Sequence, residues 1–308
     1  MGAQRIDERR IAVIGFGEAG RILAAGWAAS GRFDVSAWDI LMHDTVARDG
    51  MLAAAQERNV AMATSHAAAI RGAGIIVSAV TANSATDVAR DAAPSLLPGQ
   101  IFADINSVSP ATKKVNAKVI EQADGVYVDV AVMAPVPPYG LAVPMLLGGA
   151  GAEAFASRMQ GMGMRLDVVG SEVGAASAIK MCRSVMVKGI EALVVECCLG
   201  ARRYGVEERV LASLDETFAK LRLTDRADYL VSRVVVHGRR RAAEMREVAA
   251  TLDEANVTPR MARATAELQD WVADVVRDNA YAYPGDDAFT WQTFADALAA
   301  SEKKSPQR

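Results

Sequence analysis

Apolar positions follow two different regimes along this 308-residue chain. In the first half, short apolar runs alternate with Ala-rich helical stretches. Runs at 11–14, 35–38, 75–80, 101–105, 126–130 and 165–169 predict strands. Stretches at 21–30, 85–93 and 110–122 predict helices between them. This alternation predicts an α/β domain, a doubly wound and mainly parallel sheet covered on both faces. It lapses over 132–140, which is too proline-rich for regular structure, and 144–149 then offers a short buried strand. From Val173 onward no further strand is predicted. Residues 173–204 read as one long helix, followed by helices at 207–221, 227–236, 242–255 and 261–277, with a break at 256–259. The expected organisation is an α/β domain over 1–170 and an all-α domain over 171–308, joined by the long helix. The charged tail at 301–308 is expected to fray.

The first strand ends in Gly15-Phe16-Gly17-Glu18-Ala19-Gly20, spaced G-x-G-x-x-G, and a helical run follows. In that context the first glycine allows a tight turn, the second lets a pyrophosphate approach the backbone, and the third lets helix and strand pack closely. Gly15, Phe16, Gly17, Glu18 and Ala19 then form a cradle of free N–H groups at the positive end of a helix. Asp39 stands at the end of the second strand, where a carboxylate accepts hydrogen bonds from an adenosine ribose. Its charge repels a 2′-phosphate and no Arg follows it directly, so NAD is expected rather than NADP. The first domain is therefore expected to be a Rossmann domain.

Composition excludes several classes. A net charge of −3 gives no bulk attraction to nucleic acid or membrane surfaces. No apolar run is long enough to span a bilayer, and residues 1–9 lack the apolar region of a signal peptide. A cytoplasmic protein is expected. Cys182, Cys197 and Cys198 lie in one apolar stretch without a C-x-x-C pair, which predicts buried structural thiols. His43, His66 and His237 are scattered without ligand spacing, so no metal is expected.

The long helix is apolar almost all round, which predicts burial. Yet Ser177, Lys180, Ser184, Lys188 and Glu191 fall on one stripe, with Arg183 just beside it. Polar groups on a buried helix must meet water, a ligand or each other. The stripe is thus a chain of interdomain salt bridges or the wall of an active-site cleft. In the second case a partly desolvated Lys180 suits a general base.

Four motifs in order resemble the β-hydroxyacid dehydrogenase and 6-phosphogluconate dehydrogenase superfamily. They are the glycine loop, Asp104-Ile105-Asn106-Ser107-Val108-Ser109-Pro110 (D-x-S-T-x-x-P in the family), 128–135 (containing D-A-P-V-S-G-G in the family) and Gly174 to Lys180 (G-x-x-x-x-x-K). The chain departs from the family at Met133-Ala134-Pro135, where glycines are lost, and at Arg183-Ser184, where an Asn pair is lost. It also departs at Ala243-Glu244, where only the acid of a Lys-Asp pair is kept. Arg239, Arg240 and Arg241 stand up to one turn earlier as substitute cations. These departures resemble a divergent phosphogluconate-dehydrogenase-like branch with a C-terminal domain of unassigned function.

The resemblance implies a nicotinamide-dependent oxidoreductase acting on a 3-hydroxy acid, with a sugar acid and a decarboxylation among the options. Lys180 is then the general acid/base, with Ser184 beside it on the helix. Asn106 and Ser107 sit where cofactor and substrate meet, and Thr81 and Ser84 line the ribose side of the cofactor. Met133, Ala134, Pro135, Arg183, Arg240 and Glu244 are the further candidate substrate contacts. The resemblance also implies a homodimer whose helices complete each other's active sites. Two other readings stay open at this point: an imine or keto reductase of the same fold, and a dinucleotide-binding sensor without turnover.

Overall fold

A computed structural model describes residues 5–218, 225–254, 258–278 and 281–302. The chain divides into two compact units, Met1–Met181 and Cys182–Arg308.

The first unit is built on eight strands: β1 (Asp7–Ile14), β2 (Asp34–Trp38), β3 (Ala61–Met62), β4 (Ala73–Ser78), β5 (Ile101–Asp104), β6 (Val126–Val132), β7 (Pro144–Gly148) and β8 (Arg165–Gly170). Their order in the sheet is β3-β2-β1-β4-β5-β6-β7-β8. Strands β1 to β6 are parallel, β7 returns antiparallel to β6, and β8 is parallel to β7. The first six make the 3-2-1-4-5-6 order of a Rossmann domain. Successive residues face opposite sides of a strand. Ile11 and Val13 thus join one buried cluster, while Ala12 and Ile14 join another across the sheet. Burial on both faces explains why these strands read as continuous apolar runs.

The helices of this unit are α1 (Glu18–Ala29), α2 (Ala47–Gln56), α3 (His66–Ile70), α4 (Ala85–Ala92), α5 (Pro110–Glu121) and α6 (Ala152–Arg158), with the first turns of α7 (Ala175–Tyr204). Of the elements beyond the predicted set, β3 has two residues and α3 has five. Helix α2 buries only Met51 and Ala55, too few for a readable stripe.

The second unit holds the rest of α7 with α8 (Glu207–Thr217), α9 (Ala227–Glu254), α10 (Arg260–Asp278) and α11 (Trp291–Glu302). It contains no strand among the described residues, in line with the all-α expectation. Its core includes Val195, Cys198, Val234, Val272 and Phe294. Parts of the expected 207–221 helix, the 256–259 break and the 301–308 tail lie outside the described residues.

One of the helix expectations is borne out here and two others change. The helices expected at 227–236 and 242–255 are both there, meeting at a kink at His237 (φ −123°, ψ 17°) within the range given for α9. A Cβ at Gly238 would lie 2.6 Å from the Gln269 carbonyl oxygen, so α10 crosses on bare backbone. The basic run faces acids on α10: Arg239 Nη1 donates to Asp270 Oδ1 at 2.8 Å. Next, Cys182 is exposed rather than buried, while Cys198 is buried; the Cys197 side chain lies outside the described set. Finally, α7 is not buried all round. Met186 is 65% exposed and Leu193 53%, while the polar Ser177, Ser184 and Glu191 are buried.

Candidate active site

Parallel strands share one C-terminal edge, and ligands of open α/β sheets bind there. Apart from Lys180 on α7, every candidate residue of the first unit follows such an end: Gly15 to Ala19 after β1, Asp39 after β2, Thr81 and Ser84 after β4, Asn106 and Ser107 after β5, and Met133 to Pro135 after β6.

The three glycines have three different reasons. Gly15 has φ +96° and its N–H donates to the Trp38 carbonyl at 2.8 Å, tying the turn between β1 and α1 to the end of β2. Gly20 packs so tightly that a Cβ would lie 2.0 Å from the Gly15 carbonyl oxygen. At Gly17 an added Cβ would meet nothing within 4 Å, so no protein atom demands a glycine there. Open backbone before a helix fits a bound pyrophosphate, which needs that bare approach. Asp39 braces the loop: its Oδ2 accepts the Phe16 N–H at 2.7 Å and its Oδ1 the Leu41 N–H at 3.0 Å. Both oxygens retain lone pairs for a ribose.

Between β4 and β5, the Asn106 amide bridges the two strand ends. Its Oδ1 accepts the Val80 N–H at 2.7 Å and its Nδ2 donates to Ser78 Oγ at 2.8 Å. Asn106 is buried, so its first task is to hold the rim. Thr81 and Ser84 have their hydroxyls 3.1 Å apart beside the start of α4. Met133 and Ala134 are half-buried and Pro135 is exposed; the Met133 N–H donates to the Pro144 carbonyl at 2.8 Å. The decisive contact is between Lys180 and Ser107. The Lys180 ammonium, from the second turn of α7, donates to Ser107 Oγ, and both side chains are half-buried. A lysine and a hydroxyl brought together at this edge can bind a substrate oxygen and exchange its proton.

Beneath this edge lies a charge cluster that the sequence reading did not single out. Asp104, Lys113 and Asp129 are all fully buried. Lys113 Nζ is 3.0 Å from Asp104 Oδ1 and 3.6 Å from Asp129 Oδ1. The Tyr127 hydroxyl donates to Asp104 Oδ2 at 2.6 Å, and Asn116 Nδ2 to the same oxygen at 3.2 Å. Burial, with Asp104 adding to it, pushes the Tyr127 phenol well above its ordinary value, so it stays a donor. A signal was present: Pro110, Lys113, Ala117 and Ile120 share the buried face of α5.

In the second unit the stripe on α7 meets α9. Lys188 Nζ lies 2.9 Å from Glu244 Oε2, Arg240 Nη1 donates to Glu244 Oε1 at 2.6 Å, and Arg241 pairs with Glu191. Burial lowers the pKa of Lys188, with Glu244 pulling the other way. The cations beside Glu244 are therefore Lys188 and Arg240. Of the expected substitutes, Arg239 turns to α10 instead and Arg241 to Glu191. Ser184 is buried and Arg183 exposed. The stripe divides by unit: Lys180 meets Ser107, whereas Lys188 and Glu191 form ion pairs.

The sheet order and glycine loop define a dinucleotide-binding protein of the Rossmann class. A family model described as "NADP oxidoreductase coenzyme F420-dependent" matches residues 10–107, and one described as "Domain of unknown function (DUF1932)" matches 201–272. A conserved hypothetical protein from Sinorhizobium meliloti is 37% identical, covering 97% of this chain and 99% of its own, with a TM-score of 0.73. A conserved protein of unknown function, described as structurally similar to 3-hydroxyacid dehydrogenases, is 31% identical over 86% of this chain and 97% of its own (TM-score 0.67). A 3-hydroxyisobutyrate dehydrogenase from Mycobacterium tuberculosis shares the fold at 15% identity over 94% and 99% (TM-score 0.64). A Pseudomonas imine reductase does so at 17% over 95% and 100% (TM-score 0.56). The chain belongs to the β-hydroxyacid dehydrogenase superfamily of nicotinamide-dependent oxidoreductases, in a branch whose C-terminal domain is of unknown function.

Proposed function

We propose that this protein is a 3-hydroxyacid dehydrogenase that uses Lys180 as its proton carrier. The observation that carries this reading is the Lys180–Ser107 contact on the strand edge that bears the glycine loop. A bound nicotinamide supplies the hydride acceptor. Lys180 takes the proton of the substrate hydroxyl, and its ammonium then steadies the oxygen as the carbonyl forms. Ser107, already hydrogen-bonded to Lys180, orients that oxygen. The substrate contacts that the family resemblance gives Ser184, Arg183, Arg240 and Glu244 belong to the same proposal. The direct test is NAD⁺ reduction, followed at about 340 nm, across a panel of 3-hydroxy acids. Absence of turnover on every acid, with imines or ketones reduced instead, would transfer the site to the reductase reading.

NAD is the proposed cofactor because Asp39 places a carboxylate at the end of β2. Asp39→Asn keeps an oxygen for the Phe16 N–H but removes the charge. It is expected to shift the NADP⁺/NAD⁺ preference in Kd by at least about tenfold, roughly 1.4 kcal/mol. An unchanged ratio would mean that Asp39 only braces the loop.

The proposed assembly is a homodimer. Ile179 (45% exposed), Met186 (65%) and Leu193 (53%) stand seven residues apart on α7, an apolar line on one face. Size-exclusion chromatography at micromolar concentration should give twice the monomer mass, and monomeric elution would contradict it. No helix among the described residues is long and apolar enough to cross a membrane.

A further inference from the structure

We propose that Lys113 is a positioning residue for the candidate site. Its ammonium joins the two carboxylates that hold Ser107 and Lys180, and so sets where the two meet. The inference rests on the reading of Lys180 as proton carrier, and it deepens that reading by one layer of side chains.

Each carboxylate has a second task. Asp104 Oδ1 accepts the Asn106 N–H at 2.9 Å, which fixes the loop that carries Ser107. Asp129 Oδ2 accepts the N–H groups of Gly174 (3.0 Å) and Ser177 (3.1 Å) and the Ser177 hydroxyl (3.1 Å). It thereby caps the start of α7 from another strand, one turn before Lys180. A negative charge at a helix N-terminus is favoured by the dipole. Asp129 Oδ1, however, accepts no hydrogen bond among the described residues and lies 3.6 Å from Lys113 Nζ. Lys113 also donates to the Asp104 carbonyl oxygen at 2.5 Å. A lysine in this place links the end of β5, the middle of β6 and the first turn of α7.

Without the ammonium, two buried carboxylates face each other. Like charges at such range are not both tolerated in a dry interior, so one takes up a proton or the segments separate. In either case the Ser107 loop and the α7 cap lose their shared anchor. A purely structural lysine would lower stability alone. A positioning lysine also changes the surroundings of the Lys180 amine.

The test needs no substrate. Trace acetylation with acetic anhydride between roughly pH 7 and 10, read by peptide mass spectrometry, reports the reactivity and titration of Lys180. The exposed Lys114 and Lys118 serve as internal references. Two full-length variants are compared with the parent: Lys113→Met, and the milder Ser177→Ala, which removes one bond to Asp129. Ser177→Ala decides the matter if Lys113→Met does not fold. We expect Lys180 labelling at fixed pH to change by at least about threefold relative to the references, equivalent to half a pKa unit. In Ser177→Ala, NADH affinity measured by fluorescence should stay within about twofold, because Ser177 bonds Asp129 on β6 whereas the glycine loop and Asn106 follow β1 and β5. Labelling of Lys180 identical to the parent in folded variants would overturn the proposal. Turnover of Lys180→Ala reads the parent hypothesis separately. An active Lys180→Ala sinks the catalytic reading whatever the labelling shows, and an inactive one with unmoved labelling sinks only the role of Lys113.

Discussion

Lys180→Ala is expected to lower kcat on the best 3-hydroxy acid by about a hundredfold to ten-thousandfold, the range for a positioned proton-transfer group. NADH affinity is expected to be unchanged, since the glycine loop follows β1 whereas Lys180 is on α7. Stability should move little, because the side chain is half-buried and leaves a hydroxyl that water can satisfy. The prediction separates Lys180 from the other lysine of its stripe. Lys188 is held by Glu244 within the helical unit, so its removal is expected to act on stability first. Retention of more than about a tenth of the parent rate by Lys180→Ala would fall outside the range for such a group and end the proposal.

The second large effect is a contrast between two glycines two residues apart. Gly15→Ala places a Cβ 2.3 Å from the Ala79 carbonyl oxygen at φ +96°. The left-handed backbone and the clash together are expected to cost about 2–5 kcal/mol, and NADH binding should be lost with the loop. Gly17→Ala meets no protein atom within 4 Å. Its melting temperature should therefore match the parent, while NADH affinity falls, because the methyl occupies the approach of the pyrophosphate. Calorimetry and fluorescence titration on the same preparations check both. Unchanged affinity in Gly17→Ala would mean that this loop does not cradle a phosphate.

The strands were legible because a parallel sheet covered on both faces needs unbroken apolar runs, and most runs here end within two residues of the strand. Helices such as α2 were not, since an exposed helix with two buried residues has no stripe to read. Helix α7 was legible as an element but was expected to be buried on every side. Periodicity put Ser177, Ser184, Lys188 and Glu191 on one face. That the stripe must meet partners followed from the expected burial, but their identity did not, because Asp129, Glu244 and Arg241 come from β6 and α9. For Lys113 the one signal was its place on the apolar face of α5. A lysine on α5 reads as solvated until two acids from neighbouring strands are placed against it. Lys180 and Ser107 were legible through the family resemblance, and the structure brings them together.

Helix α7 starts in one compact unit and finishes in the other, and this bears on how the protein can be cut and catalogued. A fragment ending with β8 would keep the whole sheet and the glycine loop yet discard Lys180 and the residues that Asp129 caps. One ending after Met181 would keep them. The same holds for recognition by parts. The matching family models span 10–107 and 201–272, and Lys180 falls in the gap between them. An inventory of modules would therefore record a nucleotide fold and a helical domain of unknown function, and pass over Lys180, on which the proposed chemistry turns.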